Sequence, residues 1–112
     1  MHEFSIAQNI VKIAVETAEK ENAGKVTRVD VEVGRASGIE PEALEFAWES
    51  ARKDTLLHNA LLAVSIIPLC VKCRVCRNQY NPEDLFEPCP ECGAISHDIL
   101  TGNELRVTAI HT

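Results

Sequence analysis

Two pairs of cysteines constrain this chain of 112 residues more than any other feature of its sequence. Cys73-Arg74-Val75-Cys76 and Cys89-Pro90-Glu91-Cys92 are CxxC motifs, separated by the twelve residues 77–88. Two residues between cysteines let both thiolates of a motif reach one ion, and two such motifs supply the four sulfur ligands of a closed tetrahedral zinc site. The sequence therefore predicts one structural zinc ion, without an open position for catalysis, bound by Cys73, Cys76, Cys89 and Cys92.

The distribution of the cysteines favours a metal site over disulfides. All five lie between residues 70 and 92, whereas the disulfides of a secreted scaffold would staple the whole chain. The fifth, Cys70, precedes Cys73 by the same CxxC spacing. We interpret Cys70 as a strand-end residue packed near the site. A spare ligand during metal exchange and a redox-sensitive thiol stay open as alternatives.

Charge and hydropathy exclude several classes of protein. The net charge of -6 disfavours nucleic-acid binding, which needs a basic face. No window approaches the roughly 20 apolar residues of a membrane span. The start Met1-His2-Glu3 lacks the basic residues and apolar run of a signal peptide. We therefore expect a cytoplasmic protein that binds neither nucleic acid nor membrane.

The first half of the chain predicts two helices around a strand. A helix over residues 5–22 is expected, with Ser5 opening a capping box, Gly24 supplying the stop, and one apolar stripe made of Ala7, Ile10, Val11, Ala14 and Ala18. Alternating valines at 29, 31 and 33 predict a half-buried strand. A second helix begins near Pro41, which suits the first helical position. Its buried stripe is Leu44, Ala47, Trp48 and Ala51.

The second half predicts an insertion between two strands. Leu62, Val64 and Ile66 indicate a strand that Pro68 ends, and Leu105, Val107 and Ala109 indicate a last strand. Because the last strand has no local partner, we expect it to rejoin the sheet of the first part. The prediction is an α+β protein in which a small sheet packs with two helices. Residues 1–69 plus 98–112 form this domain, and residues 70–97 form an inserted zinc-knuckle subdomain.

The amino end offers a second set of metal donors. The Met1 amine, the deprotonated His2 amide and the His2 imidazole can form fused chelate rings around one ion. The fourth donor could be the amide or carboxylate of Glu3, or another imidazole. Such tetragonal nitrogen sites favour Ni(II) or Cu(II). The simpler interpretation is that a histidine at position two is a frayed terminal residue, and chemistry alone leaves both open.

Several stretches, taken together, resemble the HypA/HybF family of hydrogenase maturation nickel metallochaperones. They are Met1-His2-Glu3-Phe4-Ser5, Gly38-Ile39-Glu40-Pro41-Glu42-Ala43-Leu44 with Phe46-Ala47-Trp48, the four-cysteine pattern, and Thr101-Gly102-Asn103-Glu104-Leu105-Arg106-Val107. The resemblance covers nearly the whole chain. It implies a nickel-binding body with a zinc-knuckle domain, and Ni(II) bound through His2 and backbone nitrogens at the amino end, including the Met1 amine. It also implies Glu3 as an adjoining functional residue.

The resemblance further implies partners. These are a HypB-type GTPase and the large subunit of a [NiFe]-hydrogenase, and some members of the family also serve urease maturation. His97 follows the second CxxC motif, and it is either an additional nickel donor, a sensor of the position of the zinc domain, or a surface residue. His58 and His111 are expected to face solvent.

Two other functions compete with nickel handling. The first is a zinc-knuckle module that docks on other proteins and has no nickel role. The second is a zinc hydrolase, which would need an open metal site and a general base. The sequence has no HExxH, GxSxG or Gly-rich phosphate loop, so we expect a protein that is not an enzyme. Monomer and homodimer both stay open, because an exposed strand edge permits strand exchange between chains.

Overall fold

The computed structural model describes residues 2–112, so Met1 lies outside the described residues. In chain order the elements are α1 (Glu3–Lys20), β1 (Arg28–Gly34), α2 (Pro41–Ala51), β2 (Leu61–Ile67), β3 (Cys70–Cys73), β4 (Gln79–Tyr80), β5 (His97–Thr101) and β6 (Leu105–His111). They form two separate three-stranded sheets, with strand orders β2-β1-β6 and β4-β3-β5. The predicted α+β class is confirmed.

Helix α1 buries the predicted stripe, because all five of its apolar residues are less than 7% exposed. Its ends differ from the prediction. His2 is the N-cap, without a side-chain capping bond in the described part of the chain, and Ser5 lies inside the helix. The acid Glu3 occupies the first turn, where a carboxylate interacts favourably with the helix dipole. The predicted capping box at Ser5 is therefore wrong.

The carboxyl end of α1 is closed by Asn22 rather than Gly24. Asn22 has a φ of 56°, in the left-handed region that asparagine tolerates. The next amide, of Ala23, donates to the carbonyl of Ala18 at 2.9 Å, which is the long bond of a Schellman motif. Gly24 lies beyond this motif, so its predicted role as the helix stop is wrong.

The first sheet and the two helices form one unit, which we call the body. Strand β1 pairs in parallel with β2 and antiparallel with β6, so the last strand rejoins the first part as predicted. The three valines of β1 are at most 1% exposed. Pro41 is the first residue of α2, and Trp48 on its buried face donates from Nε1 to the carbonyl of Ala60 at 3.1 Å. The alternation of the valines and the proline at the start of α2 thus predicted these parts of the body correctly.

The second sheet has its own small core, and we call it the knuckle sheet. Its core residues are Leu69, Val71, Cys73, Tyr80 and Cys89. Strand β5 pairs with β3 up to Thr101, so the predicted domain boundary between residues 97 and 98 falls inside a strand of this sheet. The division into two domains at that boundary stays a prediction.

His111, which the sequence predicts to face solvent, is the last residue of β6. Its Nε2 lies 2.9 Å from a carboxylate oxygen of Asp30, and Arg28 contacts the same carboxylate. The His111 bond first, and then the Arg28 side chain, hold the pKa of Asp30 below its usual value against the opposing effect of burial. His111 is therefore held at the edge of the body sheet, although its side chain stays 42% exposed.

The body and the knuckle sheet meet at a close backbone crossing. The amide of Gly34 donates to the carbonyl of Glu104, and the amide of Ala36 donates to that of Gly102, each at 2.7 Å. A Cβ built on Gly34 would lie 2.2 Å from the carbonyl carbon of Gly102, far inside van der Waals contact. Only glycine at position 34 permits this crossing.

Replacing Gly34 with alanine is therefore expected to destabilise the protein by about 3 kcal/mol, because backbone must move to admit the methyl group. Gly24→Ala is the matched control, since no atom of the described chain lies within 4 Å of its Cβ position. We expect that variant to be more stable by about 0.4–1 kcal/mol, because alanine restricts the unfolded chain. Urea unfolding measures both. A Gly34→Ala protein as stable as the Gly24→Ala protein would contradict the crossing.

Candidate metal centre

The two CxxC motifs converge on one point. Cys73 ends β3, Cys76 lies in the turn that follows, and Cys89 and Cys92 lie in the loop between β4 and β5. The four Sγ atoms all lie within 4.8 Å of one another. Two cross-motif pairs are closer, with Cys73 and Cys92 at 3.5 Å and Cys76 and Cys89 at 3.6 Å. A tetrahedral ion with metal–sulfur bonds of about 2.3 Å requires sulfur separations of about 3.8 Å. The cluster therefore has the dimensions of a four-thiolate metal site.

Each motif is shaped by the same local turn. The amide of Arg77 donates to the carbonyl of Cys73 at 3.0 Å, and the amide of Gly93 donates to that of Cys89 at 2.8 Å. Arg77 and Gly93 both have positive φ values, of 65° and 77°. This turn directs backbone amides at the first sulfur of the motif, so that the amides of Val75 and Cys76 lie 3.4 and 3.5 Å from Cys73 Sγ.

These amides favour the ionised form of the buried cysteines. The amides of Cys76 and Val75 lower the pKa of Cys73, although burial opposes them. Burial also opposes ionisation of Cys89, but the amides of Cys92 and Glu91 lower the pKa of Cys89 to about 6. Thiolate is the form that binds metal. Both buried sulfurs are thus prepared as ligands.

The exposed cysteines show the opposite behaviour. The amide of Asn78 favours ionisation of Cys76, but burial and the sulfurs of Cys89, Cys92 and Cys73 together raise the pKa of Cys76 to about 12. Four neighbouring thiolates repel one another, so some protons are retained unless a cation compensates the charge. The donor set therefore fits a divalent cation.

Cys70 does not join this group. It begins β3 and is half-buried, which fits a strand-end residue, whereas its packing near the site stays a prediction. Along β3 the fully buried residues are Val71 and Cys73, so Cys70 and Lys72 belong to the other face of the strand. Asn78 is a residue that the sequence interpretation missed, and its Nδ2 lies 3.8 Å from Cys89 Sγ. A short polar side chain two residues after a CxxC motif is the signal that could have indicated it.

At the amino end, the structure places His2 on the surface. It is exposed and caps α1, and its carbonyl accepts from the amide of Ile6 at 3.2 Å. Glu3 begins the helix, and its Oε2 accepts from the backbone amide of Glu40 at 3.2 Å. The amides of Glu3 itself and of Glu40 hold the pKa of the Glu3 carboxyl below its usual value. The predicted donor on Met1 lies outside the described residues.

His97 begins β5 opposite Cys73, and its Nδ1 lies 3.0 Å from the carbonyl oxygen of Ile95. Within residues 2–112, the four cysteines are the one group of three or more potential ligand side chains close enough to share an ion. The structure brings His2, Glu3 and His97 into no such group, so their nickel roles stay predictions.

Neither described helix combines the length and apolar character needed to cross a membrane.

The whole chain is similar in sequence and in fold to known proteins. Residues 1–112 match the protein family described as "HypA: Hydrogenase/urease nickel incorporation, metallochaperone, hypA". The chain is 37% identical over 110 residues to the hydrogenase maturation factor HypA of Geotalea daltonii, covering 98% of this chain and 97% of that protein. It is 42% identical over 108 residues to the same factor of Geobacter sp. strain M21, covering 96% and 94%. The solution structure of the Ni metallochaperone HypA from Helicobacter pylori superimposes with a TM-score of 0.69 at 26% identity, covering 99% of this chain and 97% of that one.

Proposed function

This chain belongs to the HypA family of metallochaperones for nickel incorporation, which are maturation factors rather than enzymes, and from that premise we propose that it binds Ni(II) at its amino end and delivers it for the maturation of [NiFe]-hydrogenase. The observation that carries the proposal is the exposed position of His2 at the very start of α1, ahead of the first helical turn. In this position its imidazole and backbone nitrogen are free of the helix.

The helix start suits the proposed ligand set. The first amides of a helix have no intrahelical acceptor, so deprotonating the amide of His2 breaks no helical hydrogen bond. The Met1 amine, the His2 amide and the His2 imidazole then supply three nitrogen donors to Ni(II). The candidates for the fourth donor are the amide or carboxylate of Glu3 and an imidazole such as that of His97.

We assign the four-cysteine group to a resident zinc ion. Four sulfur donors with tetrahedral separations match a structural zinc site, and they leave no position for a substrate or a water. When bound, the ion supplies the charge that lets all four thiols ionise and a cross-link between the two turns. Nickel is cargo under this assignment, whereas zinc is part of the fold.

Delivery requires partners that exchange ligands with the amino end. We propose a HypB-type GTPase and the large subunit of a [NiFe]-hydrogenase as these partners, with urease maturation proteins as a further client. The protein would act in the cytoplasm, as a monomer or a homodimer. A site with few ligands at an exposed end suits such transfer, because protons and incoming donors compete readily for its nitrogens.

X-ray absorption on protein loaded with both metals tests the proposal. We expect a zinc shell of four sulfurs at about 2.3 Å and a nickel shell of nitrogen and oxygen only. Sulfur around nickel would contradict the assignment and would point to the cysteine segment. Failure to bind nickel at all would favour the competing function, a zinc-knuckle module that docks on other proteins.

A further inference from the structure

Helix α2 begins without a capping side chain of its own. Glu40 is its N-cap and makes no side-chain capping bond among the described residues. In a capping box, a glutamate or glutamine three residues into the helix would accept from the N-cap amide. This chain has Ala43 there, which has no acceptor. The amide of Glu40 therefore has no capping-box acceptor within its own helix.

That partner is Glu3 of the other helix. Its Oε2 accepts from the Glu40 amide at 3.2 Å, across 37 residues of sequence. Because Glu3 is also the first residue of α1, its carboxylate lies at the positive ends of two helix dipoles at once. The bond joins the start of α1 to the start of α2, immediately beside His2.

We propose that Glu3 is a positioning residue of the nickel site, whose carboxylate holds His2 in place by binding the Glu40 amide and does not itself ligate the ion. The inference rests on the proposed amino-terminal nickel site and names the role of one residue within it. A ligand fixed in its bound conformation loses less entropy when the ion binds, so this bond raises nickel affinity without contributing a donor.

The two roles of Glu3 make different demands on its side chain. A hydrogen bond to an amide needs an acceptor oxygen, which glutamine also provides. Ligation of Ni(II) by this side chain needs an anionic carboxylate, which glutamine lacks. The positioning role also depends on the backbone amide of Glu40, and it is independent of the Glu40 side chain. Substitutions at these two positions therefore separate positioning from ligation.

Nickel affinity is measured by competition titration of the full chain. We expect Glu3→Gln to bind within about threefold of the wild type and Glu3→Ala to bind about tenfold more weakly. Glu40→Pro removes the amide hydrogen while leaving Glu3 intact, and the φ of -86° at this position is close to the range of proline. We expect it to resemble Glu3→Ala. The control Glu40→Ala keeps the amide and should resemble the wild type.

The proposal is overturned if Glu3→Gln loses as much affinity as Glu3→Ala while Glu40→Pro binds like the wild type. If Glu40→Pro fails to fold, the amide proton shift of Glu40 decides. We expect it to move upfield in Glu3→Ala and to stay near its wild-type position in Glu3→Gln, and an unchanged shift in both variants would overturn the proposal. If nickel does not bind at the amino end at all, the result differs from both of these, because wild type and His2→Ala would then bind nickel equally.

Discussion

Replacing Cys89 with serine is expected to release the zinc ion and to melt the knuckle sheet while the body stays folded. Cys89 is buried, and its sulfur is one of the four that share the ion. Removing outer-shell partners alone costs about 10–100-fold in metal affinity, so we expect loss of a ligand to raise the zinc dissociation constant by more than about 100-fold. Zinc content after dialysis against a chelator measures this directly.

The reason for local rather than global unfolding is that the two sheets have separate cores. The knuckle sheet has five buried core residues, and two of them are metal-site cysteines. A core of this size does not outweigh the entropy of ordering its loops without a metal. Among residues 2–112, the body has fifteen buried core residues, none of which is a cysteine. Amide spectra should therefore lose dispersion for residues 70–101 and keep it for α1 and α2.

Cys70→Ser is the matched control, because it removes a thiol from the same strand and leaves all four ligands in place. We expect this variant to retain one zinc ion per chain. If Cys70→Ser lost zinc as readily as Cys89→Ser, Cys70 would be a ligand and the four-cysteine assignment would be wrong.

Replacing His2 with alanine is expected to weaken nickel binding by on the order of 100-fold, which corresponds to about 2.8 kcal/mol. The substitution removes the imidazole and with it one of the fused chelate rings, whereas zinc content and the melting temperature should be unchanged. The side chain of His2 is exposed at the start of α1, so its removal leaves no cavity. Isothermal titration of zinc-loaded protein with Ni(II) measures the difference.

Two other histidines provide the controls. His58 is exposed, with its Nδ1 near the carbonyl of Thr55, and His58→Ala should bind nickel like the wild type. His97→Ala tests one of the candidates for the fourth donor. Equal nickel affinity in His2→Ala and His58→Ala would show that nickel binds elsewhere on the chain.

Local patterns in the sequence predicted much of this architecture. The apolar stripe of α1, the valine alternation of β1 and the proline at the start of α2 each depend on neighbouring residues and the periodicity of one element. The CxxC spacing is likewise local, and the structure brings all four predicted sulfurs together. Such features can be identified without knowing how the chain folds back on itself.

The features that the sequence did not reveal depend on choices between similar residues or on distant contacts. Asn22 and Gly24 can both end a helix, and the geometry of the last turn selected Asn22. The contact between His111 and Asp30 spans 81 residues, and that between Glu3 and Glu40 spans 37. Pairing of β5 with β3 likewise joins the strand that ends at the first cysteine of the first CxxC motif to a strand that follows the second motif.

The most direct test of the division between a resident and a transient ion is to block the first amine. A chain carrying a four-residue leader before Met1 keeps every side chain but moves the free amine away from His2. We predict that this chain retains one tightly bound zinc and loses its high-affinity nickel, and that cleavage regenerating Met1 as the first residue restores nickel binding. Unchanged nickel affinity in the extended chain, measured beside the cleaved one, would contradict the account.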